Sequence, residues 1–348
     1  MRMNILAIGS HPDDIEIGCG ERCMSIKIAV LGMGGMGKTH ISNIEEIPEG
    51  EVVAICDLDV KNRQVAKDMG ATFYCDLQEM LKHPDLDIVI VCTPTFLHYE
   101  QIKTILQAGI TCISEKPLCL SSLQAKELYE IADENNVHLY VAQVLRFWNE
   151  YEKLTKLVKE KRYGEVLDVH FCRFIQRPNW ITGGWIFDKE KSGLLPYDLH
   201  IHDLDMMVSL FGRPNGFSIH SGGRDEGEEK EYYRINYDYE GPTVCVEFGW
   251  FDVPLPFTQN FRVYFEDALV TFDGETMIAY ERGKESPYLF KNSDDELNIN
   301  SSINTPPSTA YLKELQHFLI CFKNKIPSEI ITKKQVITVL EILESYGD

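Results

Sequence analysis

Asp198 and His202 stand four residues apart, in a segment whose later positions Leu204, Met207, Val208 and Phe211 recur at helical spacing. One turn apart on a helix, a carboxylate and an imidazole can touch, which fixes the ring's tautomer and raises its basicity. That pairing suits a general base near neutral pH. At ~100° per residue, Asp198, His202, Asp205 and Ser209 share the side opposite the apolar stripe, and His200 falls near the stripe as a packed structural histidine. The same spacing fits a solvated helix face carrying an incidental pair. Lys116, in Glu115-Lys116-Pro117 after the apolar run Ile110–Ser114, is the third candidate. A lysine there stands at the end of a strand, where ligands of open α/β sheets bind, though a surface Lys beside a Glu is commonplace.

Phosphate chemistry is written elsewhere in the chain. Ile26–Gly37 reads IKIAVLGMGGMG, a buried strand emptying into Gly32-x-Gly34-x-x-Gly37, and His40, Ile41, Ile44 and Ile47 then recur at helical spacing. Gly32 permits the tight turn, Gly34 lets backbone approach a pyrophosphate, and Gly37 lets helix pack on strand. Gly35 and Met36 belong to the helix N-terminus, whose unpaired N–H groups would hold the phosphates. Twenty residues after Gly37, the run Val52–Cys56 ends in Asp57. A carboxylate there would accept hydrogen bonds from an adenosine ribose, favouring NAD and repelling the 2′-phosphate of NADP. The alternative is a glycine-rich turn with a solvated Asp at a strand end.

These residues need a frame. A length of 348 residues predicts two domains, because single cores stop growing at roughly 250–300 residues. From Met24 to about Tyr140, strand-like runs alternate with helical patterns: Ile26–Leu31, Val52–Cys56, Asp87–Cys92, Ile110–Ser114 and Val137–Val141 are the strands. This is the signature of a doubly wound parallel sheet, an α/β fold whose ligands bind beyond the carboxyl ends of the strands. Asp57, Thr93-Pro94 and Glu115-Lys116 all fall at such ends. Beyond Phe147, β-branched and aromatic runs (Val166–Phe174, Glu231–Tyr239, Thr243–Phe251, Asn260–Phe265 and Ala268–Phe272) predict an α+β domain with a large, mostly antiparallel open sheet. The boundaries are 24–145 for a dinucleotide-binding domain and 146–348 for the second domain.

The formal charge of −20 argues against nucleic acid and anionic membranes as partners. No apolar stretch approaches the ~20 residues needed to span a bilayer, and no secretory signal is legible. Ten cysteines without a C-x-x-C read as reduced residues of a cytoplasmic protein, and no metal is expected.

Residues 1–23 are a separate matter. The strand-like Asn4–Gly9 followed by His11-Pro12-Asp13-Asp14 resembles the opening of LmbE/PIG-L zinc deacetylases, a family in which the His and second Asp bind zinc. Two ligands fall short of a catalytic zinc site. The segment therefore reads as a fragment-like extension ahead of Met24, not an independent domain.

From Met24 onward the chain resembles the glucose–fructose oxidoreductase/inositol dehydrogenase (Gfo/Idh/MocA) family. The matching elements, in order, are Gly32–Gly37 with His40, Asp57, Thr93-Pro94 with His98, Glu115-Lys116-Pro117, Arg146-Phe147 and Asp198-x-x-x-His202-Asp203. The resemblance implies a Rossmann domain, a C-terminal open-sheet domain for substrate binding and oligomerisation, homodimers or homotetramers, and hydride exchange between NAD and a sugar or cyclitol hydroxyl. Lys116, Asp198 and His202 would be catalytic. Gly32, Gly34, Gly35, Met36, Gly37, Asp57, Thr93, Pro94, His98, Glu115 and Lys116 would hold the cofactor. Arg146, Arg173, Trp180, Trp185 and Tyr197 are candidates for lining the substrate pocket. Two other readings stay open: a catalytically silent NAD-binding regulator, and an enzyme that uses NAD transiently in glycoside cleavage.

Overall fold

The computed structural model describes residues 25–179, 181–224, 230–291, 299 and 308–347. The readings made for His11, Asp14 and Trp180 fall outside them. Six short segments form one parallel sheet: β1 (Ile26–Leu31), β2 (Gly50–Cys56), β3 (Thr72–Tyr74), β4 (Ile88–Val91), β5 (Thr111–Ser114) and β6 (Leu139–Val141). Their order is β3-β2-β1-β4-β5-β6 and every neighbouring pair is parallel. All residues of β4, β5 and β6 are buried, as expected of strands covered on both faces. Among the helices linking them are α1 (Gly35–Ile44), α2 (Arg63–Asp68), α3 (Leu77–Met80), α4 (Thr95–Gln107) and α5 (Ser122–Glu134). Strand order reverses between β1 and β4, which opens a crevice at their carboxyl ends. The sequence reading lacked β3, a three-residue edge strand with no buried residue and so no apolar run to mark it.

The second sheet has eight strands in the order β14-β13-β12-β11-β7-β10-β9-β8. They are β7 (Val166–Gln176), β8 (Gly216–Gly222), β9 (Tyr232–Asp238), β10 (Thr243–Phe251), β11 (Thr258–Phe265), β12 (Ala268–Phe272), β13 (Met277–Glu281) and β14 (Tyr288–Phe290). All pairings are antiparallel except β7 with β10. Burial alternates along β11 and β12, so one face is packed and the other open. The packed face receives α6 (Asn149–Lys159), whose buried Tyr151 meets Phe171, Phe261 and Phe272. It also receives the chain around α8 (Ile201–Phe211), where His200 stacks on Phe248 with ring centroids 4.3 Å apart. The short α7 (Lys189–Ser192) precedes α8, and α9 (Ala310–Asn324) and α10 (Lys333–Glu344) close the chain. Both run back to the first domain: α9 packs on α1, and α10 on α5 and α8. Among the described residues no helix is long and apolar enough to cross a membrane.

Candidate functional site

The glycine loop follows β1 directly. Gly32 has φ +94, and a Cβ there would sit 2.9 Å from the backbone of Cys92. A Cβ on Gly37 would meet the Gly32 carbonyl oxygen at 2.0 Å, so this glycine lets helix and loop touch and does not itself line the cleft. At Gly34 the Cβ position is open space. Gly32, Gly34, Gly35 and Met36 line one end of a cleft of about 1380 Å³, with Asp57 beside them. The Asp57 carboxylate accepts the backbone N–H of Met33 and that of Asp59, each at 2.6 Å, which ties the end of β2 to the loop. Asp59 and Asp76 line the same end. An open cradle at Gly34, helix N–H groups in the first turn and a carboxylate at the β2 end fit a dinucleotide.

Thr93, Pro94, Glu115 and Lys116 continue the cleft from the ends of β4 and β5. His98 does not line it. Its buried ring lies 2.8 Å from the carbonyl of Thr93 and 2.8 Å from that of Pro117, joining the two strand-end loops, and burial lowers its pKa. The expected cofactor contact is thus corrected to a clasp behind the contact surface. Glu115 is buried 2.7 Å from His40 Nε2 and also accepts the Lys116 backbone N–H. Burial alone would raise its pKa, but the His40 bond and the charges of His40 and Lys116 outweigh it and leave the carboxyl low. Glu115 is therefore an anion held beneath Lys116.

The far end is built from the second domain. Lys116 Nζ donates to the Asp198 carbonyl at 2.6 Å and to its carboxylate at 3.1 Å. Here the sequence reading needs correction: Asp198 pairs with Lys116 and not with His202. Pro196–His200 forms a turn of π-helix that runs into α8, and one wider turn moves Asp198 out of the phase assumed for an unbroken α-helix. His202 still lines the cleft, with its Nδ1 buried and without a hydrogen-bond partner among the described residues. Burial, with Lys116 and Arg173 nearby, holds its pKa well below the ordinary value, so the imidazole is neutral.

Asp205 lies beyond that turn, on a helix that is buried nearly all round rather than along one stripe. It is fully buried and takes Arg146 through two bonds, Nε to Oδ2 at 2.5 Å and Nη2 to Oδ1 at 2.9 Å. Arg146 is thus committed to an ion pair away from the cleft, contrary to its expected substrate role. Tyr197 is likewise absent from the cleft wall and donates to the Leu120 carbonyl at 3.2 Å. Arg173 does line the cleft, held by Asp203 at 2.7 and 2.9 Å and by Gln259 at 3.0 Å. Trp185 lines it as well, edge-on to Phe96 with centroids 6.1 Å apart. The sequence reading missed Gln259, Phe257 and Trp148 in this wall. Gln259 faces Arg173 across the β7–β11 register, a signal that no local pattern carries.

A six-stranded parallel sheet with a glycine-rich phosphate cradle, joined to an open sheet that closes the cleft, defines a two-domain dinucleotide-binding protein. Residues 26–143 match the oxidoreductase family with NAD-binding Rossmann fold, and residues 151–271 match the GFO/IDH/MocA C-terminal domain. The chain belongs to the GFO/IDH/MocA family. It is 29% identical over 238 residues to the scyllo-inositol 2-dehydrogenase (NADP(+)) IolW of Bacillus subtilis (strain 168), covering 66% of this chain and 64% of that one. It is 28% identical over 230 residues to the 2,7-anhydro-N-acetylneuraminate hydratase of Mediterraneibacter gnavus, covering 64% and 60%. Each alignment thus spans less than two thirds of the relative's length. A solved levoglucosan dehydrogenase in complex with NADH and levoglucosan superposes with a TM-score of 0.80 at 17% identity, covering 92% of this chain and 96% of that one. Biliverdin reductase from Synechocystis sp. PCC 6803, with biliverdin and NADP+, gives 0.75 at 16% identity over 92% and 98%. At such identities the superpositions speak for the fold.

Proposed function

We propose that this chain is an NAD-dependent oxidoreductase that moves a hydride between a sugar or cyclitol carbinol carbon and nicotinamide. The observation that carries the reading is convergence: Lys116 and His202, from different domains, face one cleft whose other end is the glycine loop. Gly32–Met36 and Asp57 would hold the dinucleotide, which when bound supplies hydride acceptance or donation at its nicotinamide ring. Lys116, fixed by Asp198, donates a hydrogen bond to the substrate oxygen and stabilises its developing negative charge. His202 has its lone pair available because the ring is neutral, and it accepts the hydroxyl proton. The same burial and cationic neighbours that keep it neutral favour passing that proton on to solvent. Arg173, Gln259 and Trp185 offer the mix of polar and aromatic wall that a polyhydroxylated ring needs.

Asp57, with Asp59 and Asp76 at the same end, supports NAD over NADP, because a 2′-phosphate would meet carboxylates there. The open face of the eight-stranded sheet supports a homodimer or homotetramer, for which light scattering after gel filtration is the measure. The deciding experiment is a panel of inositols, aldoses and nucleotide sugars assayed with NAD and with NADP. Net NADH formation on a free sugar or cyclitol is expected. Substrate consumption without net NADH would favour transient oxidation within a cleavage or hydration reaction, a second reading that similarity to the anhydrosialate hydratase keeps in play. Dinucleotide binding with no turnover of any substrate would favour a regulator.

A further inference from the structure

On the open face of the second sheet, two short sequence patterns meet. β7 carries His170-x-Cys172 and β10 carries Cys245-x-Glu247. Alternate residues of a strand share a face, so each pattern presents both of its side chains on one side. The parallel register sets His170 opposite Cys245 and Cys172 opposite Glu247, a two-by-two block of donors in the middle of the sheet. The ligand atoms of His170, Cys245 and Glu247 all lie within 4.8 Å of one another. His170 Nε2 is 3.5 Å from Glu247 Oε1, close to the ~3.3–3.8 Å edge of a tetrahedron built on ~2.0–2.3 Å metal bonds. All three side chains are partly exposed in the single chain.

We propose that His170, Cys245 and Glu247 bind a zinc-class divalent cation, with a water as the fourth ligand. A nitrogen, sulfur and carboxylate set suits a borderline-soft metal rather than magnesium or calcium, which favour oxygen. On binding, the S–H bond of Cys245 breaks, its proton leaves to the buffer, and the thiolate forms the metal–sulfur bond; no electrons are transferred. The absence of C-x-x-C spacing hid this site, because its donors come from strands some seventy residues apart that register alone brings together. The charged neighbours are Arg234 from β9, which pairs with Glu247 Oε1, and the Arg262–Asp168 pair beside His170. Arg234 is the competitor: it holds the carboxylate that the metal would use, and its charge repels the cation. Its side chain is half-exposed and can turn outward. The site lies outside the NAD cleft and would staple β7 to β10, the one parallel pair of this sheet among the described strands.

The test uses the full chain, stripped with chelator and reloaded with zinc or cobalt(II). Zinc per chain is counted after dialysis, and the near-ultraviolet thiolate-to-cobalt charge-transfer band is recorded. One metal per chain and the band are expected, with both lost in the His170→Ala/Cys245→Ser double variant. Arg234→Ala should bind zinc about tenfold more tightly, the size of one removed charge at this range in a half-exposed site. NADH fluorescence titration on each variant checks that it has folded. The double variant His11→Ala/Asp14→Ala should keep its zinc. A missing cobalt band, zinc retained without His170 and Cys245, zinc lost with His11 and Asp14, or unaltered affinity in Arg234→Ala would each overturn the assignment.

Discussion

The two ends of the cleft are made in opposite ways. At the dinucleotide end, Gly32, Gly34, Gly37 and Asp57 belong to a single strand–helix–strand unit, and the Asp57 bond to Met33 stays within it. At the far end, Lys116 follows β5, Arg173 sits on β7, Asp198 lies in a π-turn with His202 just beyond it, and Gln259 sits on β11. The dinucleotide end can be read from spacing, because its glycines and its carboxylate follow one another in a fixed order along one stretch of chain, even though Gly32 is pressed against the distant Cys92 backbone. The distant end depends on register and domain packing, and altering any of its members disturbs partners far away in the chain.

That contrast can be broken most directly at the chemical end. Lys116→Met and His202→Ala are each expected to lower turnover by roughly 10²–10⁴-fold while leaving dinucleotide affinity largely intact, as measured by steady-state kinetics beside NADH fluorescence titration. Because His202 is held well below its ordinary pKa of 6.5, its base form persists below that pH. The acid limb of the kcat/KM profile should therefore fall below pH 6.5. A limb above it would place the essential base on another group.

The next largest effect separates site from scaffold. Arg146→Ala leaves Asp205 buried and unpaired, and should cost about 3–5 kcal/mol in urea unfolding. A raised substrate KM with full stability would return Arg146 to the binding pocket. At the dinucleotide end, Asp57→Ala should move the NAD-to-NADP ratio of kcat/KM toward NADP by about tenfold, the scale of one charge pair in a solvated site. An unchanged ratio would mean the ribose is read elsewhere.

The smallest effect tests what lies behind the wall. Burial, aided by Glu115 and Asp205, pushes the Glu314 carboxyl on α9 well above its ordinary value of 4.5. Above pH 4.5 the unfolded chain has lost a proton that the folded chain keeps, so stability falls as pH rises through that window. Glu314→Gln removes this dependence, and its advantage over the parent in urea midpoint should grow from acid to neutral pH. Equal midpoints at both would contradict it.

Both sheets were legible in outline, since long apolar runs such as Ile88–Val91 and alternating ones such as Asn260–Phe265 carry their own burial. β8 escaped notice because it has no buried residue to mark it. His200 was placed in the core by its proximity to the Leu204 stripe, and it is buried there between the Tyr237 and Tyr346 hydroxyls. Asp205 keeps its place opposite the Leu204 stripe but faces Arg146, because the helix is buried nearly all round. Asp198 leaves its expected phase for another reason. A π-turn shifts helical phase without any sequence mark strong enough to announce it, so an angle counted across Pro196–His200 accumulates the error. The contact between Lys116 and Asp198, 82 residues apart, had no local signature at all.

Two adjacent acids on α8 point in different directions with a mechanical result. Asp205 grips Arg146, on the segment leaving the parallel sheet, while Asp203 grips Arg173 on β7 of the other sheet. Both acids are fully buried, and separating either pair would strand a charge at a cost of several kcal/mol. The helix is in effect pinned both to the segment by which the chain enters the second domain and to that domain's sheet, so that segment cannot swing against β7 without pulling a pin. The position of His202 relative to Arg173 in the cleft wall is thereby held before any ligand arrives. That part of the reactants' alignment is then a property of the frame, and the frame need not be rebuilt at each turnover.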